Sequence, residues 1–226
     1  MKSLITNKII QKYVLIWIVY WLVVVGLTVV YFKPAGYTFL QNNHVIISYF
    51  IFITIIGHLI FRRLGEQAKL KSPKLQLPLT VLSGVIFVTL SVGMKQFFPL
   101  TVEGSKLIED MGFFYPLLTW GTALGKLADI IFQQTLIVAL VLFLKKHCRR
   151  PREVVEIFTL VFFVLHVPLL INFGIMGLIF IIPSLFAGAI FSYLITFYSW
   201  GVLGSMLVHQ YYYISMAIIL RLLYNH

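Results

Sequence analysis

Charge is scarce in this chain: 11% of its 226 residues are Asp, Glu, Lys or Arg, against roughly a quarter in an ordinary soluble domain. That deficit excludes a water-soluble globule. A hydrophobic content of 60% excludes intrinsic disorder, which needs low hydrophobicity and high charge. Cysteine is rarer still: Cys148 is the only one, so neither an internal disulfide framework nor a cysteine metal cluster can form. Acidic residues number 7 against 18 basic ones. A nucleic-acid footprint would need those cations clustered on a folded polar face. They sit instead in short loops between apolar runs, as topogenic charge facing anionic lipid does. No nucleic-acid partner is expected. Repeats, low-complexity tracts and linkers are also lacking, so residues 1–226 read as a single transmembrane domain.

What is present is apolar sequence, with a mean hydropathy of +0.96. At about 20 residues per span, the length fits roughly six to eight spans and leaves no room for a soluble catalytic domain. The predicted fold class is all-α, a polytopic membrane helix bundle. Seven apolar segments stand out: Tyr13 to Phe32, Val45 to Phe61, Leu77 to Met94, Leu127 to Leu144, Val154 to Phe173, Gly174 to Phe197 and Gly201 to Leu223. The first follows Lys2, Lys8 and Lys12 but has no small-residue cleavage site at its end, so it reads as a retained anchor. An eighth apolar segment is an alternative, because Phe113 to Leu118 can dip into the interface or lengthen the fourth helix.

Positive charge predicts the orientation. With a cytoplasmic amino terminus, inside connections receive Lys2, Lys8, Lys12, Arg62, Arg63, Lys69, Lys71, Lys74, Lys145, Lys146, Arg149, Arg150 and Arg152, which is 13 of the 18 basic residues. Outside connections carry Lys33, Lys95, Lys106 and Lys126, with the acids Glu103, Glu109 and Asp110. An odd number of spans puts the carboxyl terminus outside. For a prokaryotic source, the location is the cell membrane.

A polar side chain within lipid costs a few kcal/mol unless it is paired or reaches water. Asp129 is the acid that stands out inside a segment, accompanied by Gln133 and Gln134; Glu156 lies at the charged start of the fifth. His58 lies in the second segment and reads as a hydrogen-bonded packing residue. His166 lies in the fifth, and His209 in the seventh with Gln210 and three tyrosines. Asp129 and His166 flank the turn near residue 148 symmetrically, which places both roughly 23 to 26 Å above it at 1.5 Å per residue. His209 sits roughly 18 Å below the outside end of its helix, a compatible depth. Asp129 and Gln133 share a helix face, as do Phe162 and His166, and His209 and Tyr213. A carboxylate, two imidazoles, an amide and a phenol supply the parts for activating water and stabilising an oxyanion. The same groups could equally form a network that only holds helices together.

At these residues the chain resembles the CAAX protease and bacteriocin-processing family of intramembrane endopeptidases, which includes the type II CAAX prenyl endopeptidases and bacterial immunity-type proteins. The family pattern is Glu-Glu-x-x-x-Arg, then Phe-x-x-x-His, then His-x-x-x-Asn or a similar residue. Here Ala128-Asp129-Ile130-Ile131-Phe132-Gln133-Gln134 lies over the first part, Phe162 to His166 over the second and His209 to Tyr213 over the third. The likeness runs from about residue 112 to 220, and Gly188, Tyr193, Gly204 and Ser205 also resemble the family's sixth and seventh helices.

The departures fall on the first motif. Ala128 stands where the family has the glutamate taken as the base that activates water, Asp129 replaces the second glutamate, Gln133 the arginine and Tyr213 the final asparagine. A register that puts Gln133 and Gln134 over the two glutamates breaks the Ile-Ile-Phe match and removes both carboxylates. Without a cation beside it, a buried Asp129 is expected to favour its protonated form and to donate a hydrogen bond rather than act as a base. The resemblance therefore implies a degenerate protease fold that binds a membrane-embedded peptide or protein without efficient cleavage. The alternatives are an endopeptidase with Asp129 as base, His166 orienting water and His209 with Tyr213 on the oxyanion, or a small proton-coupled carrier. The carrier reading lacks an inverted repeat. No cofactor is expected; two histidines and one aspartate could hold zinc, but their spacing matches no dedicated ligand motif.

Overall fold

The computed structural model describes residues 8–65, 68, 73–110 and 119–224. Nine α-helices occur among them: α1 (Lys8–Leu27), α2 (Asn43–Leu64), α3 (Pro73–Phe97), α4 (Val102–Asp110), α5 (Trp120–His147), α6 (Pro151–His166), α7 (Leu169–Phe173), α8 (Leu178–Phe197) and α9 (Gly201–Leu223). A π-helical extension, Thr28–Phe32, continues α1, and a 3-10 turn, Gly174–Gly177, follows α7. No strand occurs among the described residues. Seven helices are long and apolar enough to cross a membrane. They correspond in order to the seven segments expected from sequence, so the chain is an integral membrane protein. Phe113 to Leu118, Lys2, Lys69 and Lys71 lie outside the described residues, as do the side chains of Glu109 and Asp110.

One helix organises the others. In α5, 72% of the most apolar stretch is buried, against 39% or less in every other span. Helices α1, α2, α3, α6, α8 and α9 all contact it. Its sequence is apolar on nearly every face, the pattern of a helix enclosed by others. The surrounding helices are two-sided instead. In α1, Ile10, Tyr13, Trp17, Trp21 and Val24 recur every three or four residues and are buried, while Leu15, Val19, Leu22 and Val23 are exposed. Such a face would be a liability in water, but in a bilayer it contacts lipid.

Aromatic side chains and glycines set the close contacts. Trp17 Nε1 donates to the Leu136 carbonyl at 2.8 Å, and the Tyr13 ring stacks on Phe143 at 3.6 Å, tying α1 to α5. Trp17→Phe keeps most of the ring and removes that bond. It should cost about 1 kcal/mol, the scale of an interhelical hydrogen bond in membranes, read as a fall in the thermal unfolding midpoint in detergent. Gly125 allows Phe39 to lie where a Cβ would be 2.7 Å from its ring, and Gly188 lets α8 approach α6 so closely that a Cβ would stand 3.1 Å from Thr159 Cα.

Three sequence expectations are corrected, two of them by helix ends. First, α5 begins at Trp120 rather than Leu127, because Thr119 and Thr122 form a reciprocal cap. Lys126, assigned from sequence to an outside connection, is therefore inside the helix and 7% exposed. Second, the fifth apolar segment is broken: α6 ends at His166, Pro168 precedes α7, and Gly174 adopts a positive φ of 55°. Third, His58 is exposed on α2 rather than packed inside the bundle.

The α5–α6 turn holds Cys148 half-buried, and burial, helped by the Glu153 charge, pushes its thiol up to about 11. A raised value keeps the thiol protonated near neutrality. Alkylation by iodoacetamide at pH 8 should run about a hundredfold slower than for an unperturbed thiol and accelerate as pH rises toward 11.

Candidate functional site

The polar residues of α5 occupy a strip between two hydrophobic clusters. Ala128, Phe132, Leu136 and Ile137 belong to the cluster shared with α1, α2, α6 and α8, while Ala123 and Ile130 belong to the one shared with α3 and α9. At about 100° per residue, Lys126, Asp129 and Gln133 fall between these faces on successive turns. Ala128, next to Asp129 in sequence, consequently points into the first apolar cluster.

Asp129 is 8% exposed, and both of its oxygens are engaged. Oδ2 lies 2.6 Å from Lys126 Nζ, and Oδ1 accepts from Gln133 Nε2 at 2.9 Å. The expectation of an aspartate without a cation is overturned. Its physical source was the helix start: once α5 includes Lys126, the cation sits three residues before the acid and shares its face. The i, i+4 pairing with Gln133 is present as expected. The Lys126 ammonium also lies 4.0 Å from the centroid of the Tyr213 ring, a cation–π contact that carries the charge from α5 to α9.

Helices α5 and α9 are antiparallel, and their polar contacts keep one register. Gln134 Nε2 donates to Ser205 Oγ, and eight residues further along each helix Lys126 meets Tyr213. The sum of paired residue numbers is 339 in both cases, which places Asp129 and Ile130 level with Gln210 and His209. On α9, Ser205, His209 and Tyr213 recur at i, i+4 and i+8 on one buried face. The expected pairing of His209 with Tyr213 is present, with ring centroids 5.4 Å apart.

His166 reaches the site by a different route. It ends α6, half-buried, with Nδ1 2.7 Å from the Phe162 carbonyl and its ring 4.5 Å from that of Phe162. Trp21 of α1 stands 6.3 Å away on another side. Phe162, 3% exposed, makes an edge contact with Phe191 of α8 at 6.0 Å, and Phe191 lies 5.2 Å from His209. His209 is within electrostatic range of both Lys126 and His166. Asp129, His166 and His209 thus belong to one neighbourhood, linked through Lys126 and Tyr213 on one side and through Phe162 and Phe191 on the other. They do not hydrogen-bond to one another, and no three His, Cys, Asp or Glu side chains among the described residues gather as a metal-ligand set.

Three buried polar atoms here have no hydrogen-bond partner among the described residues: His209 Nδ1, Gln210 Nε2 and Gln134 Oε1. An imidazole nitrogen, an amide donor and an amide acceptor left open within a bilayer are expensive to maintain. Sequence reasoning missed Lys126 and Phe191. The i, i+3 spacing of Lys126 to Asp129 was a usable signal for the first; Phe191 is one phenylalanine among 20, and no sequence feature distinguishes it. No protein-family model matches the chain, and neither a curated protein nor a solved structure is significantly similar to it.

Proposed function

We propose that this protein is a degenerate relative of the CAAX protease and bacteriocin-processing family, an intramembrane pseudo-protease that holds a membrane-embedded peptide or protein segment without cutting it. In this reading the amino terminus is cytoplasmic and the carboxyl terminus outside, in the cell membrane. The observation that carries it is the commitment of Asp129, whose two oxygens are taken by Lys126 and Gln133 while the neighbouring residue is Ala128. A carboxylate with both oxygens already accepting, one of them in an ion pair, is committed to holding its neighbours, and only its second lone pairs are left to take a proton from water. His166 Nδ1 is likewise engaged by its own helix.

The open groups on α5 and α9 supply the binding chemistry. A peptide main chain offers both carbonyl and N–H groups, which suits the Gln210 donor, the Gln134 acceptor and the His209 imidazole. Active proteolysis is the second reading, favoured by the open Nδ1 of His209, which could face an oxyanion.

Purified protein in nanodiscs, incubated with fluorescent hydrophobic peptides bearing or lacking a carboxyl-terminal farnesyl cysteine, separates the two. We expect binding by anisotropy, intact peptide by mass spectrometry, and about tenfold weaker binding in Gln210→Leu. Cleavage abolished by both Asp129→Asn and His166→Ala would replace the pseudo-protease with the endopeptidase. Absence of binding to every peptide would remove both.

A further inference from the structure

About two helical turns beyond Tyr213 on α9, at the end of the bundle where α3 and α9 terminate, a cavity of about 530 Å³ is lined by Lys95, Lys106 and Arg221, with Thr101 and Ser105 beside them. Its remaining lining, Pro99, Leu100 and Val102, is apolar or backbone. We infer that this cavity binds the phosphate of an anionic phospholipid headgroup at the membrane surface.

Three cations from three separate helices face one space, and none of the described residues lining it is acidic. Glu103 lies in the adjacent first turn of α4 but is exposed and does not line the cavity. Arg221 is 1% exposed and donates from Nη1 to the Phe98 carbonyl. Its charge is therefore fixed in the cavity wall and does not wave in solvent. Lys95 and Lys106 are exposed at the mouth, where they can follow a ligand. The amino end of α4 also borders the cavity, with Thr101 Oγ1 accepting from Gly104 N at 3.0 Å. Cations, hydroxyls and a helix amino end together suit a phosphate oxyanion. The apolar wall suits the glycerol and first acyl carbons behind it. The cavity opens at the level of the helix ends, where a lipid phosphate is the anion at highest local concentration.

The test uses full-length protein, delipidated in detergent, with native mass spectrometry after addition of phosphatidylglycerol or phosphatidylcholine. We expect phosphatidylglycerol to be retained at least tenfold better than phosphatidylcholine. The Lys95→Gln/Lys106→Gln double variant should lose affinity roughly thirtyfold, at about fivefold per cation near a membrane surface. Lys95→Arg/Lys106→Arg should retain it, and unchanged circular dichroism in both variants separates lost binding from lost folding. Displacement by millimolar inorganic phosphate would keep the oxyanion site and assign it to a soluble anion. Equal retention of the two lipids, or full retention by the glutamine variant, overturns the inference. Neither the polar strip nor its proposed role enters this result.

Discussion

Lys126→Met is expected to cost about 3 to 5 kcal/mol of stability, because it strands the Asp129 carboxylate inside the bundle. The ion pair is buried on both sides, with side-chain exposures of 8% and 11%. Solvent cannot replace the missing ammonium at such a site, and the cation–π contact with Tyr213 is lost in the same step. The informative comparison is the double variant Lys126→Met/Asp129→Leu. Removing both charges leaves no unpaired ion, so it should recover to within about 1 kcal/mol of the parent. Reversible unfolding in mixed micelles, followed by circular dichroism, measures the whole cycle. A single variant as mild as an exposed substitution would mean that the pair has no structural role, and would release Asp129 for chemistry.

Gly201→Ala should be the most damaging exchange of a small residue, at about 3 kcal/mol, with loss of folded protein at growth temperature. A Cβ at this position would stand 2.0 Å from the Leu194 carbonyl oxygen and 2.7 Å from Ile195 Cα. These are backbone atoms, so no rotamer change relieves the clash. The turn would have to open where Gly201 N donates to the Tyr198 carbonyl at 3.3 Å. Opening it moves α9 relative to α8 and separates Phe191 from His209. Expression level and thermal midpoint check the first effect. Gly121→Ala is the control: its Cβ would meet only the end of the Asn43 side chain, which can rotate away.

Long apolar runs made the number, order and approximate limits of the spans legible in the sequence, and Gly201 to Leu223 matches its helix at both ends. Helix starts inside charged sequence were not legible. Lys126 looked topogenic because charge normally marks the end of a span, whereas a cation three residues before an acid can remain within one. The Thr119 and Thr122 cap that extends α5 around it is a tertiary choice as much as a local one. The break after His166 had its signals in Pro168 and Gly174, but continuous hydropathy across them masked it. The depth argument placed Asp129, His166 and His209 in one neighbourhood. It could not show that aromatic rings and Lys126 would stand between them, since spacing along a helix fixes the direction of a side chain and not what fills the gap.

The central position of α5 also bears on how the chain is assembled. Ribosomes deliver α1, α2 and α3 first, so the fourth span enters the bilayer beside three walls of its final surroundings, while the walls built from α6, α8 and α9 arrive later. Lys126 and Asp129 can neutralise each other within a single turn from the moment of insertion, lowering the barrier that two separate charges would present to the translocon. Nascent chains halted just after His147 would expose the polar strip to acyl chains, making that intermediate the natural substrate for membrane quality control.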